Sequence, residues 1–286
     1  MKVIEERLAL HNGASIPKLG LGTWFIPDDQ AEKAVCQATL LGYRHVDTAQ
    51  AYNNEQGVGH GIRNCGIPRD QLFVTDKVAA GAKSYAEAAA SIDESLAKMG
   101  LDYLDLLLIH SPQPWGEWRG EKRYFDENKE VWRAMEDACR AGKVKSIGVS
   151  NFLQDDLESL LQTCSIQPAV NQLLVHIGNT PFSLMAFCQE HHILVEAYSP
   201  IAHGEALKNE AIAAMAAQYG VSVSQLCIRY VLQLGCVALP KTANPLHMAE
   251  NIQVDFEILD KDMEALKRLS FREYGEYSHF PVFSNK

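Results

Sequence analysis

The stretch Arg44-His45-Val46-Asp47-Thr48-Ala49-Gln50-Ala51-Tyr52 puts a carboxylate at the end of a short apolar run and a phenol five positions beyond it. Two later runs close in the same way, Phe73-Val74-Thr75-Asp76-Lys77 on an ammonium and Leu106-Leu107-Leu108-Ile109-His110 on an imidazole. The segments between them carry apolar residues at helical spacing. The runs therefore read as parallel strands joined by helices, with their carboxyl ends on one face. Parallel neighbours lie about 4.8 Å apart, which brings Asp47, Tyr52, Lys77 and His110 within roughly one side chain's reach of each other.

Outward from these strands the pattern repeats. Arg7-Leu-Ala-Leu and Ser15-Ile-Pro flank His11-Asn12-Gly13-Ala14, and Asn-Gly between apolar runs predicts a β-hairpin, read as a plug ahead of the main fold. Strand one spans 18–24, and Asp28 is the expected cap of a helix over 29–41. Strand two (44–47) leads to a helix over 54–64, and strand three (71–77) to a helix over 85–99 that ends at Gly100. The apolar run of strand four (103–110) suits a strand covered on both sides; an irregular loop (111–126) and a helix over 129–141 follow. Strand five (143–150) feeds a helix that begins after Phe152. Strand six (168–172) precedes Thr180-Pro181, with Thr as the cap and Pro as the first residue of a helix to 191. Strand seven (193–198) is followed by helices over 208–219 and 223–234. After strand eight (236–240) come a short helix opened by Asn244-Pro245, a helix over 260–269 and an aromatic tail to Phe283. Eight strand–helix units with no compositional break predict an α/β fold, a (β/α)8 TIM barrel with an N-terminal β-hairpin plug and extra helices near the C-terminus. A single barrel domain is expected over 1–286.

The composition agrees with one large core: 286 residues, 47% hydrophobic and 22% charged. A formal charge of -10 disfavours a general nucleic-acid or anionic-membrane binder, since both require a basic surface. No apolar run marks a signal peptide and none reaches eighteen residues, so the expected compartment is the cytoplasm. Seven scattered cysteines without a C-x-x-C pair indicate neither a disulfide framework nor a zinc site.

Barrel active sites are built at the carboxyl ends of the strands. Those ends carry Trp24, Asp47 with Tyr52, Lys77, His110, Ser150-Asn151, Gln172, Tyr198-Ser199 and Lys241-Thr242. The set lacks the carboxylate and histidine density of a divalent-metal site, and no metal is expected. A metal-dependent hydrolase using Asp47, His110, His176 and Glu196 is disfavoured because Glu196 lies two residues before Tyr198, deeper in its strand, and no H-x-H pair accompanies it. Tyr52 is the expected proton donor: a free phenol titrates near ~10, and an adjacent ammonium would lower that value. Asp47 would hold Lys77 charged, and His110 would orient the substrate oxygen. No side chain can supply hydride, whereas a nicotinamide cofactor can. Ser150, Asn151 and Gln172 offer partners for a carboxamide, and Tyr198 a ring for stacking. Lys241, the Thr242 hydroxyl and the helix N-terminus at Asn244-Pro245 together make an anion site. Taken singly, each residue has a plainer reading, His110 as a structural histidine or Ser150-Asn151 as the cap of helix five. Their joint occurrence at successive strand ends favours the catalytic one.

The residues Gly20-Leu-Gly-Thr-Trp, His45-Val-Asp-Thr-Ala with Tyr52, Lys77, Leu108-Ile-His110, Gly148-Val-Ser-Asn-Phe152, Asn171-Gln172, Tyr198-Ser-Pro200 and Pro240-Lys241-Thr242 with Ala249-Glu-Asn251 resemble the aldo-keto reductase family in its own order. The closer likeness is to bacterial 2,5-diketo-D-gluconate reductase-like members, because the chain ends soon after its last helix. The resemblance implies a monomeric reductase of aldehydes, ketones or keto sugars, with Asp47, Tyr52, Lys77 and His110 as a catalytic tetrad. It also implies NADPH held by Gly22, Thr23, Trp24, Asp47, Ser150, Asn151, Gln172, Tyr198, Ser199, Pro200, Ile201, Lys241, Thr242, His247, Glu250 and Asn251. Three departures matter. His247 stands where the family's usual arginine meets the 2'-phosphate and offers fewer donors, which weakens the NADPH preference and leaves NADH usable. Asp76 precedes the lysine where a neutral residue is commoner; alternation points it away from Lys77, yet its charge would raise the Tyr52 pKa. Ser111 replaces a common tryptophan, so the substrate pocket is expected to be lined by Trp24, Tyr52, His110, Ser111, Trp115 and Trp118, with Phe280 nearby.

Overall fold

The computed structural model describes residues 2–284; residues 1, 285 and 286 of the expected domain lie outside the described residues. Strands β1 (Arg7–Ala9) and β2 (Ser15–Pro17) pair antiparallel with Leu8 opposite Ile16, and Gly13 takes a φ of 86° in the turn between them. That conformation costs glycine little, as the Asn-Gly signal requires. Leu8, Leu10 and Ile16 pack with Phe73, Leu106, Val170 and Val237 in one apolar cluster, so the hairpin plugs the amino-terminal end of the barrel.

The main chain then runs β3 (Leu21–Gly22), α1 (Asp28–Leu40), β4 (His45–Asp47), α2 (Glu55–Asn64), β5 (Phe73–Val78), α3 (Tyr85–Met99), β6 (Leu104–Ile109), α4 (Phe125–Arg140), β7 (Val144–Ser150) and α5 (Gln154–Leu161). It continues with β8 (Val170–Leu174), α6 (Phe182–Glu190), β9 (Leu194–Tyr198), α7 (Glu210–Tyr219), α8 (Val223–Gln233), β10 (Val237–Leu239), α9 (Pro245–Asn251) and α10 (Asp260–Lys267). Strands β3 to β10 form one eight-stranded sheet in sequential order, every pair parallel. The barrel closes where Gly20 N donates to Ala238 O at 2.9 Å, Gly22 N to Pro240 O at 3.0 Å and Ala238 N to Lys18 O at 2.8 Å. The (β/α)8 reading holds.

Strand alternation sorts the side chains into two cores. On β5, Val74 and Val78 face the apolar layer under the helices, while Phe73 joins the inner cluster and Lys77 reaches Asp47. Asp76 points outward, as alternation demands, and is fully buried between the barrel wall and α2 and α3, near Glu55 and Ser95.

Helix α3 has the predicted bounds, with Ser84 Oγ accepting from Glu87 N at 3.3 Å and Gly100 closing it at φ 61°. Elsewhere the caps differ from expectation. Helix α1 begins at Asp28 with Pro27 in the cap position, and Asp28 Oδ1 instead accepts from Gly57 N at 2.8 Å, tying α2 to α1. Helix α4 starts at Phe125, one turn earlier than predicted. Pro181 occupies the cap position of α6 rather than its first turn, because the Thr180 hydroxyl is committed to His176 O at 3.2 Å and Tyr230 Oη at 2.9 Å. Helix α5 is preceded by Leu153, which removes the capping role for Ser150-Asn151.

The close approach of α2 to the end of α3 depends on Gly59, where an added Cβ would sit 2.2 Å from Met99 O. Backbone cannot swing aside as a flexible side chain can, so the helices would have to separate. We expect Gly59→Ala to destabilise the protein by about 1–3 kcal/mol, read as a lowered Tm in differential scanning calorimetry; an unchanged Tm would show that the helix contact is slack.

Candidate active site

Strand register delivers the polar ends to one floor. Lys77 and Asp47 are 0% and 3% exposed, and Lys77 Nζ donates to Asp47 Oδ2 at 2.7 Å and to Thr48 O at 2.7 Å. Nζ is also turned toward Tyr52, 5.0 Å from its ring centre. The turn Gln50–Tyr52 is held by Gln50, whose Oε1 accepts from Ala79 N at 2.8 Å and whose Nε2 donates to Ser91 O at 3.2 Å and Ser95 Oγ at 3.0 Å. The His110 ring meets Tyr52 edge-on at 5.6 Å and Trp115 at 5.2 Å.

Burial acts to lower the Lys77 pKa, but Asp47, Tyr52 and Glu196 outweigh it and hold the ammonium above the ordinary lysine value. For Tyr52 the balance corrects the sequence expectation of a lowered value. Burial pushes the phenol up to about 12, Lys77 pulls it back only in part, and Asp47 and Asp76 add to the rise. Asp76 does raise the phenol, as its charge led one to expect, although its own carboxyl is raised to about 8 by burial and by Glu55. His110 is driven well below the histidine norm by burial and by Lys77, so it is neutral at physiological pH.

A cleft of about 630 Å³ opens above this floor. Tyr52, His110, Trp24, Trp115 and Phe280 line one part; Ser150, Asn151, Gln172 and Tyr198 line another; Lys241, Thr242, His247, Glu250 and Asn251 line the far end. Gly22, Thr23, Asp47, Ser199, Pro200 and Ile201 also reach it, so every residue singled out for the cofactor borders one continuous space. Tyr198 Oη donates to Asn151 Oδ1 at 2.7 Å, and Ser150 Oγ donates to Gln172 O at 3.0 Å. Asn244 Oδ1 accepts from Leu246 N at 2.9 Å, so the α9 terminus is capped by its own side chain, leaving Lys241, Thr242 and His247 as the groups for an anion.

Two expected pocket residues are elsewhere. Ser111 is fully buried, its Oγ accepting from Gln113 N at 3.3 Å, and Trp118 lies behind Trp115 with its own ring under Arg119. The loop is folded on itself by Gln113, which bonds Gly120 O, Lys122 O and Arg119 N. His176, weighed above as a metal ligand, is fully buried, with Nε2 2.9 Å from Tyr274 Oη. His203, which no sequence motif marks, lines the cleft beside Trp24, Tyr277 and Phe283, along with Phe25 and Val282. The one sequence trace of this wall was the aromatic tail. Phe25, Asn151, Ser199 and His203 all take positive φ, a costly conformation for such residues, and all border the cleft. Among the described residues no cluster of three or more His, Cys, Asp or Glu side chains could hold a metal ion.

The sequence model of the Aldo/keto reductase family matches residues 18–270. Glyoxal reductase of Bacillus subtilis is 38% identical over 269 residues, covering 93% of this chain and 94% of that one. The crystal structure of an aldo/keto reductase from Brucella melitensis superposes with a TM-score of 0.86 at 37% identity, over 93% of this chain and 99% of that one. That of a Bombyx mori aldo-keto reductase in complex with NADP gives 0.83 at 31% identity, over 98% and 99%.

Burial holds His45 at about 3 and His176 and His203 at about 4, and it holds His110 low as well. In a histidine-labelled NMR titration these four rings should show no protonation step between about pH 5.5 and 8. A His110 resonance that titrates near the free-imidazole value would mean that the floor is open to water.

Proposed function

The chain belongs to the aldo/keto reductase family of NAD(P)H-dependent oxidoreductases, and on that premise we propose that it is an NADPH-preferring carbonyl reductase in which Tyr52 protonates the oxygen of an aldehyde, ketone or keto sugar. The observation that carries this reading is the Lys77 ammonium, kept charged by Asp47 and turned toward the Tyr52 hydroxyl beside a neutral His110. The residues suit a nicotinamide dinucleotide: amide and hydroxyl groups at the strand ends, an aromatic ring at Tyr198, and a cation with a hydroxyl at the far end of the same cleft. When bound, NADPH supplies the hydride that no side chain can deliver.

The protein's own part is proton transfer and orientation. With its value near 12, Tyr52 keeps its proton throughout the neutral range and so stands ready as an acid. As negative charge develops on the carbonyl oxygen the proton moves to it, and Lys77 stabilises the phenolate left behind. His110 Nδ1 is buried without a partner, and with its proton on Nε2 the neutral ring can donate to the same oxygen. Trp24, Trp115 and Phe280 exclude water from that side. The glyoxal reductase relative supports small aldehydes and dicarbonyls as first substrates to assay. Free thiols at all seven cysteines support a reducing compartment, the cytoplasm, as its location.

Tyr52→Phe should lower kcat by roughly 10²–10⁴-fold while NADPH binding, followed by fluorescence titration, stays at the wild-type level; a variant with wild-type turnover would exclude Tyr52 as the acid. His247 sets a second test. Its imidazole offers fewer donors than a guanidinium, so His247→Arg should raise the ratio of kcat/KM for NADPH over NADH, and an unchanged ratio would dismiss position 247 as the phosphate contact.

A further inference from the structure

Beneath the Asp47–Lys77 pair the barrel interior holds a second carboxyl that proton transfer does not use. Glu196 on β9 is fully buried, and its Oε2 lies 3.0 Å from Gln172 Nε2 on the neighbouring β8, where the register sets Gln172 directly opposite Glu196. The same Nε2 lies 2.7 Å from Asp47 Oδ1. Asp47 is paired to Lys77 through Oδ2, and the Gln172 atom facing its Oδ1 is the NH2 end. Both amide hydrogens are thereby engaged by carboxyl oxygens below, and Oε1 is the end of the amide left for the cleft that Gln172 lines. The donors around it are spent as well: Asn151 Nδ2 serves His110 O at 3.1 Å and Ser150 Oγ at 3.0 Å, and Ser150 Oγ donates to Gln172 O.

We propose that Glu196 is a positioning residue that, with Asp47, pins the Gln172 amide so that its oxygen faces the cleft as a fixed acceptor for the NH2 of the nicotinamide carboxamide, thereby deciding which face of the ring meets the substrate. Glu196 does this as a neutral acid. Burial, with Asp47 adding to it, raises its carboxyl to about 8, so no second negative charge competes with Asp47 for Lys77. Oε1, 3.7 Å from His45 Nε2, is left to carry the proton while Oε2 accepts. Without Glu196 one amide hydrogen is buried without a partner; Asp47 still holds the NH2 end by the other, but the amide is free to rock about that single bond, and the acceptor in the cleft is no longer fixed.

The inference rests on the nicotinamide reading above, and the test separates the two. NADPH and its 3-acetylpyridine analogue, which replaces the carboxamide NH2 by CH3, are titrated into wild type, Glu196→Leu and Glu196→Gln by fluorescence. Deuterium transfer from NADPH labelled on either C4 face is scored in the alcohol product. Wild type should bind the analogue about tenfold more weakly, as expected for a lost hydrogen bond to a fixed acceptor, and transfer deuterium from one face. Glu196→Leu should lose the discrimination and transfer from both faces, whereas Glu196→Gln, neutral and able to accept from Gln172, should restore both. A Glu196→Leu variant that keeps discrimination and single-face transfer, or a Glu196→Gln variant as impaired as Glu196→Leu, overturns the proposal. Wild type that binds NADPH without discriminating overturns it alone, and wild type that binds neither nucleotide takes the functional reading down as well. If Glu196→Leu does not fold, Glu196→Met, of similar length with no acceptor oxygen, is read by the same criteria.

Discussion

A single ion pair, Lys77 with Asp47, constrains the upper half of the barrel. An ammonium and a carboxylate removed from water are tolerated only when they meet each other and find partners for their remaining bonds, and losing either member leaves a buried charge at a cost of about 3–5 kcal/mol. Those partners are the Thr48 carbonyl, next to Asp47 in the chain, and, from the far side of the barrel, the Gln172 amide, with Tyr52 alongside. A slip of one residue in β4, β5 or β8 would turn the side chain through the sheet and break the set. The pair therefore fixes the register that the chemistry requires.

Around it the barrel interior is kept neutral. His45 is held at about 3 and Glu196 at about 8, and His110 is held below its ordinary value, so at physiological pH the charge on the floor is one ammonium and one carboxylate. A neutral surround matters because Coulomb terms are strong in a poorly screened interior. A further carboxylate would compete for Lys77 and make the phenol a poorer acid, which is the direction in which Asp76 already acts from the outer wall.

The strand ends were legible in the sequence because two rules operate there without exception for this chain: side chains alternate, and parallel strands present their carboxyl ends together. Asp47, Lys77, His110, Ser150, Gln172 and Tyr198 follow from these rules, as do the hairpin at Asn12-Gly13 and the helix between Ser84 and Gly100. Where the backbone is irregular, neither rule applies. Ser111 and Trp118 lie close in sequence to Trp115, yet only Trp115 faces the cleft, because the Gln113 amide folds the loop through three backbone bonds. The Tyr52 value was misjudged for a different reason. The sequence displays the lysine that lowers it, but the depth of burial that raises it is a property of the assembled site.

The same division runs through the cleft itself. The floor and the Ser150, Asn151 and Gln172 cradle come from strand ends, whose positions are fixed by sheet hydrogen bonds and whose donors are mutually satisfied. The opposite wall comes from connecting segments: Trp24 and Phe25 after β3, Trp115 after β6, His203 after β9, and Tyr277, Phe280 and Val282 in the tail. Phe25 and His203 are held at positive φ and pack ring to ring with Trp24 and Tyr277, so aromatic contact offsets the backbone cost there. Changes in the loop wall alter what fits beside Tyr52 without disturbing the register of the strands beneath. A chain built in this way can change its carbonyl substrate by loop substitution while Tyr52, Lys77 and the cradle stay where the barrel puts them.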